Sequence, residues 1–217
     1  MHKEGWGLIL GLVVAALVLT LSHRMLGAGM LLRALEVLLW LLAAFMFYFF
    51  RDPERQVPSA PGLIVSPADG TVVEIVDEEE PDYIRGPARR ISIFLSPFDV
   101  HVNRAPAEGD VEYVRYHAGK FLRAFLPEAS RENEQAVIGL RSPWGKVTFK
   151  QIAGILARRI VCDARQGMPL KRGERFGIIK FGSRMDVFVP LNTAVRVRVR
   201  DKVKGGESIL GEIDHAS

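Results

Sequence analysis

Apolar residues crowd the front of the chain and are spread with a shorter period after it. Gly5 to Ser22 is an unbroken run of 18 uncharged residues, and Ala34 to Phe50 repeats the pattern with Glu36 as its one charge. Each run sits at the lower end of the roughly 17–25 apolar residues that cross a bilayer. Between them, Ser22 to Gly29 reads as a tight connector, so the pattern predicts two membrane helices. A buried helical hairpin of a soluble protein fits the same runs. A cleaved signal peptide fits less well, because no small-x-small site follows the first run before the second begins. Trp6, Trp40 and Tyr48 are placed to sit at the membrane interface. Arg33 and Glu36, three residues apart, suit an ion pair on one helix face. Lys3, Arg51 and Arg55 flank one side and Arg24 and Arg33 the other, a bias too slight to orient the pair.

From Leu63 onward the spacing changes to that of strands. Pro53 to Pro61 contains three prolines and reads as a linker. Leu63 to Val76 reads as a hairpin turning at Ala68-Asp69-Gly70, and Glu78 to Asp82 as a solvated acidic loop. Further strands are expected at Arg90–Leu95, Asp110–Tyr116, Gln135–Leu140, Trp144–Ile152 and Arg158–Asp163. Lys120 to Leu126 mixes apolar with basic residues and reads equally as a lipid-touching loop or a core segment. The domains expected are 1–52, a membrane-anchoring helical hairpin, and 53–217, a catalytic domain.

Composition narrows the partners. The net charge of +4 and the pI near 9.4 would suit nucleic acid, but no nucleic-acid motif accompanies them, and an anionic membrane surface explains them as well. Cys162 is the single cysteine, which excludes an intrachain disulfide and is compatible with a cytoplasmic face. No dinucleotide, P-loop or zinc signature is present.

The candidate chemistry lies at Gly182-Ser183, between two β-rich runs, Phe176–Phe181 and Met185–Pro190. Gly and Ser are ordinary turn residues, so a strand-turn-strand accounts for the pair. The same pair also permits self-cleavage. The Ser183 hydroxyl would attack the Gly182 carbonyl, where no side chain crowds the approach and strained backbone is tolerated.

Neighbouring blocks favour the second reading. Arg175 to Pro190, with Phe181-Gly182-Ser183 at its centre, resembles the processing site of the phosphatidylserine decarboxylases, in the short form with FGS at the cleavage point. Phe50 to Arg55, Ser66 to Gly70 and Ser96 to Pro106 agree with it in order and spacing. The resemblance spans nearly the whole chain from Phe50 on. It implies a proenzyme split between 182 and 183 whose Ser183 becomes a covalent pyruvoyl group. That carbonyl condenses with the amine of phosphatidylserine and acts as an electron sink while carbon dioxide leaves, yielding phosphatidylethanolamine, and the resemblance implies that no metal or diffusible cofactor is required.

The resemblance also implies roles. His101 matches the family's general acid/base, suited to it by an imidazole that titrates near neutrality, and Asp69 matches the aspartate that orients a base. The long-form family carries a second histidine three residues on, where this chain has Arg104. Either His101 serves both cleavage and decarboxylation, or His117 assists. Arg51, Arg85, Arg89, Arg90 and Lys120 are candidates to hold the lipid phosphate. The tail from Val195 to Gly211, together with Leu63–Val76, has the cadence of a lipoyl/biotinyl-type barrel-sandwich, without the lysine turn that would carry biotin or lipoate. The expected fold is therefore mainly β, a barrel-sandwich-like core of short strands preceded by the N-terminal hydrophobic helical hairpin. Expected partners are phosphatidylserine, the bilayer and the two cleavage fragments for each other, with homo-oligomers open and nucleic acid excluded. Two rival functions remain: a membrane-tethered barrel-sandwich adaptor without catalysis, and a pyruvoyl decarboxylase of a soluble amino acid.

Overall fold

The front of the chain folds as helices because its long apolar runs contain no proline. A computed structural model of the chain describes every residue except 28, 127, 155–159, 181 and 215–217, and leaves out the side chain of residue 26. Helix α1 spans Trp6–Leu26 and helix α2 spans Met30–Phe49, forming a hairpin. Gly27, at a φ of 69°, closes α1 by donating its N–H to the His23 carbonyl. Both helices are long and apolar enough to cross a membrane. Leu10 is 64% exposed and Leu41 63%, which disfavours a soluble protein's core hairpin. The polar residues inside the hairpin pair across it. Glu36 accepts from Thr20 Oγ1 at 2.8 Å and meets His23 Nδ1 at 2.9 Å, while Arg33 donates to His23 Nε2 at 3.1 Å. The expected Arg33–Glu36 pair is thus replaced by cross-helix bonds through His23.

The chain divides into two units, Met1–Pro53 and Glu54–Ser217. The second is built almost wholly of strands: β1 (Leu63–Val65), β2 (Gly70–Glu80), β3 (Gly86–Leu95), β4 (Val102–Arg104), β5 (Gly109–His117), β6 (Gln135–Ser142) and β7 (Gly145–Ile152). There follow β8 (Ile160–Cys162), β9 (Pro169–Leu170), β10 (Arg175–Ile179), β11 (Ser183–Val189), β12 (Thr193–Val195), β13 (Lys202–Val203) and β14 (Ile209–Ile213). Among the described residues they form an eight-stranded sheet in the order β13-β2-β3-β11-β7-β6-β5-β9, and two three-stranded sheets, β1-β14-β12 and β4-β10-β8. The result is mainly β, a sheet curled into a half-barrel.

One face of the large sheet makes the core. Strand alternation sends Ile91, Ile93 and Leu95 of β3 to the same side as Met185, Val187 and Val189 of β11 and Val147 and Phe149 of β7, all buried in one cluster. Phe149 meets Phe176 of β10 edge-on at 5.0 Å, joining the second sheet to that cluster.

Three local expectations are corrected. Leu63–Val76 is not a hairpin: β1 pairs with β14 and β2 with β3 and β13, so the tail strands lie beside both halves of that stretch. The turn chemistry of Ala68-Asp69-Gly70 is real, but tertiary pairing decides where its flanks go. Glu78 to Glu80 is not a solvated loop either. It continues β2, and Glu80 is fully buried, accepting from the N–H groups of Asp82, Tyr83 and Ile84 and from Thr148 Oγ1. A carboxylate surrounded by donors tolerates such burial. The runs flanking Gly182-Ser183 likewise enter different sheets, so the pair marks a crossing and not a hairpin turn.

Candidate active site

Ser183 opens β11, opposite Leu95 of β3, and is fully buried. Its position two residues before Met185 places it on the core-facing side of the strand. Its hydroxyl has no hydrogen-bond partner among the described residues. Leaving a buried hydroxyl unpaired costs about 1–3 kcal/mol, so such groups are rare and call for an explanation. Gly182 carries a φ of 64°, in the left-handed region that glycine adopts without strain. Phe181, the first residue of the FGS block, lies outside the described residues.

His101 is fully buried beside this bond. Its Nδ1 donates to the Asp99 carbonyl at 2.9 Å, and its Nε2 accepts from the Gly182 N–H at 3.4 Å. The partners therefore assign the Nδ1-protonated tautomer, with the Nε2 lone pair turned toward the peptide N–H that precedes the Gly182–Ser183 bond. The loop before it is tied off locally, because the Asp99 carboxylate accepts both the N–H and the hydroxyl of Ser96, at 2.8 and 2.7 Å. The structure thus brings Ser183, Gly182 and His101 together.

Gly154 completes the enclosure. A Cβ placed on it would collide with the Gly182 carbonyl oxygen, and would stand 3.2 Å from Ala124 Cβ. The scissile carbonyl is pressed against a position that only glycine can occupy. Ala124 is buried, while Phe121 and Phe125 on either side of it are 37% and 49% exposed. Within the segment Lys120–Leu126, Ala124 is thus a core contact and Phe121 and Phe125 are exposed apolar side chains around it. Phe125 also packs edge-on against Phe94 at 6.0 Å.

Asp69 is engaged elsewhere. Both its carboxylate oxygens accept from Arg55 at 2.8 Å, and one accepts the Gly205 N–H at 2.8 Å. Arg104 is 5% exposed and donates to the Gly173 carbonyl at 3.0 Å. His117 lies 3.6 Å from Asp82, in a cleft of about 400 Å³ that it shares with Lys150 and Phe188. Phe188 is five residues along β11 from Ser183, roughly 16 Å at ~3.3 Å per residue. Of the candidate phosphate ligands, Arg89 pairs with Asp77, Arg90 with Glu74 and Glu78, and Lys120 with Glu132, while Arg51 stacks on Tyr48. Arg85 lines a second cleft with Tyr83 and Lys146.

The opposite face of β11 holds a buried charge network that sequence reasoning missed. Arg184 is 1% exposed and donates to Asp186 at 2.7 Å, to Glu74 at 2.9 Å and to Ser92 at 2.6 Å. Arg90 donates to Glu74 and Ser92, and Ser130 donates to Asp186. Burial pushes the Asp186 carboxyl up, but Arg184 and Arg90 outweigh it and hold it below the ordinary aspartate range. The only signal for this in the sequence is a pair of charges inside an otherwise apolar strand. The missed residues nearer the bond, Gly154 and the Asp99 carbonyl, act through backbone atoms that no residue type announces.

Comparison with known proteins bears on these residues. Residues 42–211 match the family model described as phosphatidylserine decarboxylase. The phosphatidylserine decarboxylase proenzyme of Salinibacter ruber is 55% identical over 174 residues, covering 78% of this chain and 76% of its own. That of Carboxydothermus hydrogenoformans is 44% identical over 214 residues, covering 98% and 96%, and that of Burkholderia cenocepacia 41% over 213 residues, covering 98% and 95%.

Proposed function

The chain belongs to the phosphatidylserine decarboxylase family and is a decarboxylase, and from that premise we propose that it cleaves itself between Gly182 and Ser183 and then acts on phosphatidylserine. This leaves the non-catalytic adaptor without support. The observation that carries the proposal is the unpartnered, buried Ser183 hydroxyl beside a left-handed Gly182 whose N–H is held by His101 Nε2.

The cleavage balances as follows. Ser183 Oγ adds to the Gly182 carbonyl carbon, and the peptide C–N bond breaks. The hydroxyl proton passes through His101 to the departing nitrogen, leaving an ester and a free amine. Loss of the Ser183 Cα proton then breaks the Cβ–Oγ bond, releasing Gly182 as a carboxylate and residue 183 as dehydroalanine. One water converts this to a pyruvoyl group and ammonia. The strand pairing of β11 and the contact of Gly154 hold the reacting atoms in place, which lowers the entropic part of the barrier.

The residues fit the group the family implies, since residue 183 is enclosed and its hydroxyl has no competing structural bond. Ser183 would be its origin. Once formed, it supplies a carbonyl that takes up the substrate amine and accepts the electron pair left by the carboxylate. His101 is the residue placed to hold or move a proton there. Asp69, tied to Arg55 and Gly205, contributes by fixing the loop ahead of β2 and so the base's surroundings. The two apolar helices anchor the chain in the membrane with the catalytic unit on the cytoplasmic face, where the lipid substrate is within reach.

Intact mass of the purified protein tests the proposal. Two fragments are expected, residues 1–182 and a fragment from 183 whose blocked N-terminus reacts with carbonyl reagents, while Ser183→Ala stays one inactive chain. An active single chain with an ordinary serine at 183 would refute it. Assay of phosphatidylserine against free serine separates it from an enzyme of soluble amino acids.

A further inference from the structure

Two buried amides near Ser183 each keep one polar group unpaired. Asn103 and Gln151 are both fully buried. Gln151 Nε2 donates to Asn103 Oδ1 at 2.8 Å and to the Val161 carbonyl at 3.2 Å. Asn103 Nδ2 and Gln151 Oε1 have no partner among the described residues. The Val161 carbonyl settles which way round the amides sit. It can only accept, so Gln151 must present its NH₂ there, and Asn103 must then present its oxygen to the same NH₂. One donor and one acceptor are left over, on two side chains bonded to each other.

Their place in the fold ties them to the reaction centre. Gln151 stands opposite Met185 on the neighbouring strand, and Ser183 is two residues along on the same face of β11. Asn103 is two residues beyond His101 and pairs with Gly177 of β10. A Cβ on Gly177 would collide first with the Val161 carbonyl oxygen and would then stand 2.9 Å from Gln151 Nε2, so glycine at 177 leaves room for both partners of that bond. Ser183 Oγ is a third unpartnered buried atom of the same region. Buried polar groups are nearly always paired, and three exceptions close together in the chain's pairing scheme call for a ligand.

We infer that Asn103 and Gln151 recognise the α-amino acid headgroup of the substrate, Asn103 Nδ2 donating to its carboxylate and Gln151 Oε1 accepting from its amine. The inference rests on the reading of Ser183 given above. One donor beside one acceptor matches a group that carries both a carboxylate and an amine; ethanolamine, the product headgroup, offers only the second. A neutral amide is also the right kind of holder. The carboxylate loses its charge as carbon dioxide leaves, so a cation would stabilise the bound substrate more than the transition state, whereas an amide orients with little of that penalty. Cleavage gives access, since it turns Gly182 into a chain end beside residue 183.

The test uses the full chain, purified in detergent and processed. It is offered equal amounts of short-chain phosphatidylserine, ¹³C-labelled in the serine α and β carbons, and unlabelled phosphatidylethanolamine, with cyanoborohydride present. The mass of the 183–217 fragment reads which amine was captured, whether or not decarboxylation came first. The unaltered protein is expected to favour the labelled headgroup, and Asn103→Ala to lower that preference at least ~10-fold, as a site loses discrimination when it loses the bond that reads it. Asn103→Ser, which keeps a donor, restores part of it. Gln151→Met reads the same ratio if Asn103→Ala does not fold. An unchanged ratio in a cleaved Asn103→Ala protein overturns the inference, as does an unaltered protein that shows no preference. Variants that fold but remain uncleaved also overturn it, by moving the pair to maturation. If the unaltered protein is itself no more cleaved than Ser183→Ala, it is the Ser183 reading that has failed.

Discussion

The two faces of β11 are equally buried and chemically opposite. On the outer face, Arg184 and Asp186 carry full charges, and their charged atoms meet Glu74, Ser92, Arg90 and Ser130. On the core face, Ser183 is neutral, and its hydroxyl has no hydrogen-bond partner among the described residues. The more polar face is therefore the satisfied one. Charge count inside this strand follows the paired face, and the unpaired atom lies on the face of the proposed chemistry. A buried ion network is costly to break at any one member, because the remaining charges cannot be rehydrated. An unpaired hydroxyl lacks any bond that must be given up before it reacts.

The sharpest way to break the contrast is on the core face. His101→Ala removes the group whose Nε2 meets the Gly182 N–H, and should slow maturation by about 10²–10⁴-fold, the range for losing a positioned acid/base. Densitometry of the two fragments over time reads it, with an unshifted melting temperature showing that scaffolding is intact. His117→Ala, at its separate cleft, should mature at the normal rate. If it instead were the slow variant, the roles of the two histidines would be exchanged. Gly154→Ala comes next. The added methyl must displace the Gly182 carbonyl, and misplacement of this order costs about 10²-fold in rate. Maturation at the normal rate would show that the close approach is incidental.

On the outer face the expected change is in stability. Asp186→Asn leaves Arg184 and Arg90 facing a neutral amide, and should destabilise the chain by about 3–5 kcal/mol in chemical denaturation. Fragments should still form under conditions where the variant is folded. The smallest effect is the pH dependence of the same group. The folded-state carboxyl of Asp186 lies below its ordinary value, so its contribution is present above the unfolded aspartate value near 3.9 and is lost as pH falls through the lower folded value. Stability should fall on acidification below about pH 4, and Asp186→Asn should flatten that limb of the curve. An acid limb of unchanged slope would assign it to other carboxylates, Glu74 first, whose carboxyl burial raises but Arg90 and Arg184 bring down.

How much of this could be read from the residues follows the same division. The strands at Phe176–Ile179 and Met185–Val189 were legible because strand periodicity is local, and Gly182-Ser183 was legible as a candidate because the FGS block is local too. His101 was legible for the same reason, within the block from Ser96 to Pro106. Asp69 was located but its partner was not, because Arg55 and Gly205 come from distant parts of the chain. The supposed hairpin at Leu63–Val76 failed where local turn chemistry met long-range pairing, and the acidic run at Glu78–Glu80 failed because like charges in sequence need not be solvated when donors converge on one of them. Asn103 and Gln151 carried no sequence signal, since an ordinary amide becomes unusual only when its neighbours leave it half paired.

The placement of Ser183 at the head of an interior strand has one further consequence. β11 is flanked by β3 on one side and β7 on the other, and the piece that the proposed cleavage would separate also supplies β12, β13 and β14. After the backbone is cut, the piece from 183 on would be a second polypeptide threaded through the middle of the first, held by two ladders of hydrogen bonds and by Met185, Val187 and Val189 in the core. Folding is then an intramolecular event that happens once, before the cut. A denatured mature enzyme would have to find its missing strand from solution, so its refolding yield should depend on concentration where that of Ser183→Ala does not. The enzyme would persist through slow unfolding, with no easy way back once unfolded.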